Sequence, residues 1–254
     1  MALSVWDKLH MIHRCWRLRF KSEVTCIEYV RQADLAGTTV LDIGANKGVY
    51  SIYMARAAGK NGRLIAFEAQ PELGPHLLNV KESFGLDNMT LVNKGLSSEP
   101  GVLKMLRDKA GSGMASFHNE LGKGLDEIDI PVIRLDDYIR DNKVGPISFI
   151  KCDVEGHELP VFQGGADMLK RDHPTLLFEC HDVEAKSGEL FEFLVSLGYE
   201  GYFFHVTQED HRSWFNKGRC ELVKYSEFAD YEHARPGIHH RNYIFVRPGT
   251  IQRA

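Results

Sequence analysis

The chain has 254 residues, 43% hydrophobic and 26% charged, with a formal net charge of −4. That is the balance of a globular protein long enough to bury one large core. The acidic surplus lacks the basic footprint of a protein that wraps a nucleic acid backbone, so no nucleic acid partner is expected. Five cysteines, Cys15, Cys26, Cys152, Cys180 and Cys220, form no CxxC pair or ligand-spaced cluster and read as reduced thiols of a cytoplasmic protein.

Residues 1–35 differ from the rest. They are cationic through Lys8, Arg14, Arg17, Arg19 and Lys21, with Trp6, Leu9, Ile12, Trp16 and Phe20 close to helical spacing, which predicts an amphipathic helical extension ahead of one domain over residues 36–250. Asp7, Lys8, His10, His13 and Arg14 interrupt any signal-like or membrane-spanning stretch, and no transmembrane segment is expected elsewhere. Two readings of this helix stay open: a lid packed across the domain, or a docking helix in peripheral contact with a membrane or partner.

From Thr38 onward strand and helix signals alternate, the pattern of an α/β protein with a helix-covered parallel sheet. Residues 39–43 predict a strand, followed by a glycine turn and a helix marked by Val49, Ile52, Tyr53 and Ala57. Residues 63–68 predict the second strand, Pro71 opens a helix reaching about Phe84, and residues 89–93 predict the third strand. Short runs at 102–106 and 128–133 flank Gly111, Gly113, Gly122 and Gly124, and predict an inserted hairpin with a mobile loop. Residues 146–153 predict a buried fourth strand and 159–171 its helix. A strand at 174–179, a helix at 189–197 and strands at 199–205 and 242–246 complete the alternation.

The strongest local signal is the first turn. Asp42 ends the strand, Gly44 sits in the bend and Gly48 stands where the helix begins, with Asn46 between them. A dinucleotide site would show G-x-G-x-x-G to seat a pyrophosphate on the helix N-terminus. Here an acid precedes G-x-x-x-G, which suits the amino acid moiety of S-adenosylmethionine. Glu68 at the end of the second strand fits the same scheme, because a carboxylate there accepts hydrogen bonds from both ribose hydroxyls.

Four blocks, VLDIGANKGVYS (residues 40–51), FEAQP (67–71), NKGLS (93–97) and FIKCDVEGHE (149–158), the last followed by FQGGA (162–166), resemble the FkbM family of methyltransferases. The resemblance covers roughly residues 36 to 247. It implies the Rossmann-like class I methyltransferase fold: a seven-stranded, mostly parallel sheet with an antiparallel last strand and helices on both faces. It also implies methylation of a hydroxyl oxygen, mainly on sugars of glycans or secondary metabolites. Carried over, it places Asp42, Gly44, Asn46, Gly48 and Glu68 around the cofactor, Asn93 near the adenine, and matches Ser116 to a serine that orients cofactor or closes over substrate. Lys94 departs from the family, which has a small or apolar residue there.

Ligands of open parallel sheets bind beyond the carboxyl ends of the strands, so Asp153, Glu155 and His157 after the fourth strand, and Glu179 and His181 at the fifth, are the candidate reacting groups. Methyl transfer needs alignment and removal of the hydroxyl proton. Either Asp153 or His157 takes it directly, or Asp153 and Glu179 hold a divalent cation, magnesium or calcium, that acidifies the substrate oxygen. Glu158 reads as a helix N-terminal acid capping amides. Phe203, Phe204, Trp214, Phe215, Tyr225, Phe228 and Tyr231, with His205, His211 and Arg212 interleaved, are candidates for stacking on a sugar or, alternatively, core under a long loop. His239 and His240 would point to opposite faces of a strand, so no metal pair is expected there. The expected activity is O-methylation of a sugar, glycan or sugar-bearing metabolite. The alternatives are a non-sugar hydroxyl or carboxyl acceptor, or a catalytically silent cofactor-binding module. An oligomer is compatible with the sequence.

Overall fold

Near-continuous burial along short apolar strands builds the sheet, as expected of a sheet covered on both faces. The computed structural model describes residues 2–117, 125–180, 185, 187–205, 221–227 and 242–251. In β1 (Thr39–Ile43), β2 (Arg63–Phe67) and β3 (Met89–Val92), and in β7 (Ile147–Cys152) and β8 (Thr175–Glu179), neighbouring pairs run parallel. β11 (Asn242–Val246) is antiparallel to both β8 and β9 (Glu200–His205), and β10 (Glu221–Lys224) is antiparallel to β9. The order β10-β9-β11-β8-β7-β1-β2-β3 is the expected seven-stranded arrangement with one addition, the edge strand β10.

Successive side chains of a strand face opposite sides, and the two cores follow that rule. Leu41, Ile43, Ile150, Cys152, Leu176, Phe178, Tyr243 and Phe245 join one core, whereas Val40, Phe149, Leu177, Ile244 and Val246 join the other. The first core is covered by α5 (Leu135–Asp141), α6 (Glu158–Gln163), α7 (Ala166–Asp172) and α8 (Glu189–Ser196). The second is covered by α1 (Val5–Arg17), α2 (Val24–Gln32), α3 (Val49–Ala58) and α4 (Leu73–Phe84). By the same alternation Asp42 and Lys151, flanked by residues of the first core, turn toward the second.

The segment predicted as one helix over residues 159–171 is two helices, α6 and α7, because the chain must bend where it touches its neighbours. A Cβ on Gly164 would lie 2.2 Å from the Ser97 carbonyl oxygen, and one on Gly165 would lie 2.9 Å from Leu135. The inserted hairpin is present as β5 (Gly101–Arg107) and β6 (Asp126–Ile133), and β4 (Gly95–Leu96) pairs with β6 to make a second, three-stranded sheet. The near half of the loop expected to be mobile is pinned. Gln70 Nε2 donates to the Ser112 carbonyl at 2.8 Å, and the Gly111 amide donates to Gln70 Oε1 at 3.0 Å and Glu72 Oε1 at 2.9 Å. Residues 118–124 lie outside the described residues.

The N-terminal segment folds onto the domain. Ser4 caps α1 by accepting from the Asp7 amide at 3.1 Å, and the Leu3 amide donates to Ser83 Oγ of α4 at 2.7 Å. Met11, Cys26 and Val30 pack into the same core as β1 and β2. A π-helical turn, Leu18–Ser22, joins α1 to α2. Among the described residues no helix is long and apolar enough to cross a membrane.

Candidate active site

At the carboxyl ends of β1, β2 and β7 a cavity of about 470 Å³ opens, within the rough 300–1,000 Å³ span of small-molecule sites. The bend after β1 shapes its floor. Gly44 has φ +79, and a Cβ there would lie 1.9 Å from the Asp153 carbonyl oxygen, so only glycine lets the ends of β1 and β7 meet so closely. Asn46 follows in the left-handed region at φ 47. Its backbone amide thereby reaches Glu68 Oε2 at 2.7 Å, while the Gln70 amide reaches Glu68 Oε1 at 2.8 Å. Each Glu68 oxygen keeps a lone pair beyond the one its amide uses, and Glu68 lines the cavity. Gly48, also left-handed, does not line it. A Cβ there would lie 2.9 Å from Leu77, so this glycine serves the packing of α3 on α4.

Both acids of this half sit in unusual electrostatic states. Burial pushes Asp42 up to about 6, opposed by the Ser51 hydroxyl that donates to its Oδ2 at 2.5 Å. Burial pushes Glu68 up to about 7, opposed by the two backbone amides.

Asn93 does not face the cavity. Its Nδ2 donates to the carbonyls of Glu68 at 2.7 Å and Gln70 at 3.0 Å, bracing the backbone that presents Glu68. Lys94, the departure from the family, lines the cavity instead. Ser116 also stands behind the wall, donating to the Glu155 carbonyl at 2.7 Å, while its neighbours Ala115 and Phe117 face inward.

Asp153 and Glu155 form the opposite wall. Glu155 holds a left-handed φ of 52, with Gly156 at 93, and backbone strain of this kind is kept only where the surroundings enforce it. Glu158 supplies the enforcement by accepting from the Val154 amide at 2.9 Å and the Gly156 amide at 3.1 Å, the amide-capping role expected of it. His157 is 6% exposed and lies off the cavity, with Nε2 3.0 Å from Ser97 Oγ and its ring 4.8 Å from that of Phe117. Glu179 also lies off the cavity wall.

The residue that sequence reasoning missed is Lys151. Fully buried, it places Nζ 3.2 Å from Asp153 Oδ2 and 5.0 Å above the Tyr50 ring, and Tyr50 donates to Glu23 at 3.2 Å. Burial works against its charge, but Asp153, Glu23 and Glu179 outweigh that and hold its pKa above the ordinary lysine value. A lysine inside the apolar strand ISFIKC was itself the signal, since lysine is almost never buried without a partner. Lys151 pairs with Asp153, one of the two residues offered for a divalent cation, and among the described residues no group of three or more His, Cys, Asp or Glu side chains that could hold a metal ion is found. For the aromatic residues read as either a sugar platform or core, the core reading holds where they are described. Phe203 and Phe204 are buried in the two cores, and Tyr225 packs on Phe191 and Phe245. His205 is buried. Trp214, Phe215, Phe228 and Tyr231, with His181, His211, Arg212, His239 and His240, lie outside the described residues.

The fourth wall comes from the N-terminal segment, through Arg14, Arg17, Leu18, Ser22 and Glu23. Arg14 and Arg17 bring cations to a cavity otherwise rich in carboxylates.

A strand-end cavity with one acid per strand is shared by many cofactor users, and comparison with known proteins decides among them. The family model for the methyltransferase FkbM domain matches residues 42–201, more than half of the chain. The chain belongs to the FkbM methyltransferase family. As an FkbM protein it is an S-adenosylmethionine-dependent methyltransferase. It is 25% identical over 195 residues to the 31-O-demethyl-FK506 methyltransferase FkbM of Streptomyces tacrolimicus, covering 64% of this chain and 73% of that one. It is 27% identical over 154 residues to methyltransferase sdnD of Sordaria araneosa, covering 49% and 59%. Among solved structures, methyltransferase FkbM of Methylobacillus flagellatus KT aligns with a TM-score of 0.53 at 15% identity, covering 84% of this chain and 45% of that one. The chain therefore spans less than half the length of that FkbM structure. A putative rRNA methylase of Clostridium thermocellum aligns at 0.51 and 12% identity, over 88% and 93% of the chains, and shares the fold.

Proposed function

We propose that this FkbM protein methylates a hydroxyl oxygen of a small sugar-bearing or otherwise polyhydroxylated acceptor, with Asp153 taking the hydroxyl proton. The observation that carries the proposal is Asp153, which lines the same cavity as Glu68 and whose carboxylate is held by Lys151. The relative from Streptomyces tacrolimicus is by its name an O-methyltransferase, which supports oxygen as the methyl acceptor.

Asp42, Glu68, Asn46 and Gly44 fit S-adenosylmethionine: Gly44 leaves the bend without a side chain beside the cavity, the Asn46 and Gln70 amides orient Glu68, and Glu68 retains a lone pair on each oxygen for the ribose hydroxyls. Bound there, it supplies an electrophilic methyl group. The protein's own work is positional and electrostatic. Lys151 fixes the Asp153 carboxylate by an ion pair, Glu158 fixes the backbone of residues 154–156, and Asp153 accepts the proton of the attacking hydroxyl. His157 on this reading supports the wall through Ser97 rather than acting as base. Glu155 beside Asp153 adds a second acceptor for hydroxyl groups, which supports a hydroxyl-rich acceptor over an apolar one. The five cysteines of the sequence, with no CxxC pair or ligand-spaced cluster, support a reducing compartment, the cytoplasm.

The test is methyl transfer from labelled S-adenosylmethionine to a panel of sugars, sugar-bearing metabolites, simple alcohols and carboxylic acids. Asp153→Asn should retain cofactor binding and lose at least about a hundredfold in kcat. Full activity in that variant would remove Asp153 from the chemistry. Label found only in methyl esters would replace the hydroxyl acceptor with a carboxyl one. Cofactor binding with no transfer to any acceptor would favour the silent binding module.

A further inference from the structure

We infer that the outward face of α1 docks the protein on an anionic phospholipid surface. The inference concerns a face away from the cofactor and holds whatever acceptor the enzyme uses.

α1 is amphipathic twice over. Its inward side packs Met11 into the core. Its outward side carries Val5, Trp6, Leu9, Ile12 and Trp16, continued by Phe20 in the π turn, all exposed, with Val5 and Trp6 each 75% exposed. At helical spacing the α1 members of this set fall within an arc of about 120°, opposite Met11. Isolated exposed apolar residues are ordinary, but a continuous stripe of this size is not. The rings form a ladder: His13 stacks on Trp16 at 6.1 Å, and Trp16 lies 5.9 Å from Phe20.

Charge selects the partner. Residues 1–22 hold five basic side chains, Lys8, Arg14, Arg17, Arg19 and Lys21, against one acid, Asp7, in a chain whose net charge is −4. Lys8 and Arg19 border one side of the stripe, and Lys21 stands 5.2 Å over the Trp16 ring. Aromatic and aliphatic residues on one face with lysine and arginine along its edges are the chemistry of a helix lying in the headgroup region of an anionic bilayer.

A second feature lies along the same edge. A groove of about 480 Å³ runs between α1, α3 and α4, floored by Ile52, Tyr53 and Phe84 and rimmed by Lys8, Arg19 and Arg56. Lys8 Nζ stands 5.6 Å above the Phe84 ring and the Arg56 guanidinium 6.0 Å above it. An apolar floor under three cations suits an acyl chain with its phosphate, which extends the stripe into one lipid-facing surface.

Vesicle flotation of the 254-residue chain tests this. It should float with phosphatidylcholine vesicles containing about one third phosphatidylglycerol, stay soluble with phosphatidylcholine alone, and be released by salt. Trp6→Ser with Leu9→Ser, both outside the core, should leave thermal stability and basal methyl transfer unchanged and weaken partition at least about tenfold. Lys8→Gln and Arg19→Gln should each weaken it about fivefold. No flotation with anionic vesicles, equal binding to neutral ones, or undiminished binding by the double serine variant would overturn the inference. So would a concentration-dependent dimer abolished by the double variant in a chain that binds no vesicles, which would assign the stripe to a second copy.

Discussion

Glu68 shows how a single residue links burial, ligand binding and pH. Its carboxyl, raised by burial to about 7 from an ordinary 4.5, is protonated in the folded protein over a range where the unfolded chain is already ionised, and Asp42, raised to about 6 from 3.8, behaves alike. Between the unfolded and folded values the native state holds more protons, so stability present at low pH is lost as pH rises through the folded values. Denaturant midpoints of the cofactor-free protein should therefore fall as pH rises from about 4 to about 7. Glu68→Gln, which cannot ionise, should flatten that fall. An unchanged slope in the variant would contradict the raised, burial-driven pKa of Glu68.

At the scale of elements, the bend between β1 and α3 has the most demanding geometry. Gly44→Ala would force a methyl group to 1.9 Å from the Asp153 carbonyl oxygen at a φ of +79. It should destabilise by about 3 kcal/mol or more, read as a shift in the chemical denaturation midpoint; a loss within error would mean that β1 and β7 do not approach as described. This bend was legible in advance because an acid at a strand end followed by spaced glycines carries its meaning locally. So was the succession of the main strands and helices along the chain, since alternation and glycine turns repeat there, though β4 and β10 were not read. The break between α6 and α7 was hidden, because what forbids side chains at Gly164 and Gly165 is Ser97 and Leu135, distant in sequence. Asn93 and His157 were legible as important polar residues, but not as braces whose partners are the Glu68 and Gln70 carbonyls and Ser97. Lys151 stood in plain view in an apolar strand. Only the fold brings Glu23 and Tyr50, from the N-terminal side, to its environment.

For the whole molecule, the N-terminal segment is part of the domain and one wall of its cavity. Met11, 3% exposed, ties α1 to the core shared with β1, α3 and α4. Met11→Ala should cost about 2–5 kcal/mol of global stability in a single denaturation transition. A segment that merely trails the domain would show no change. Because the same helix contributes Arg14 and Arg17 to the cavity, loosening it should also weaken cofactor binding. If the cavity at the carboxyl ends of β1, β2 and β7 holds an S-adenosyl donor through Glu68, calorimetric titration should show stoichiometric binding of S-adenosylhomocysteine, weakened at least about tenfold by Glu68→Ala, and no heat from NAD. Binding of NAD alone, or undiminished affinity in the variant, would contradict it.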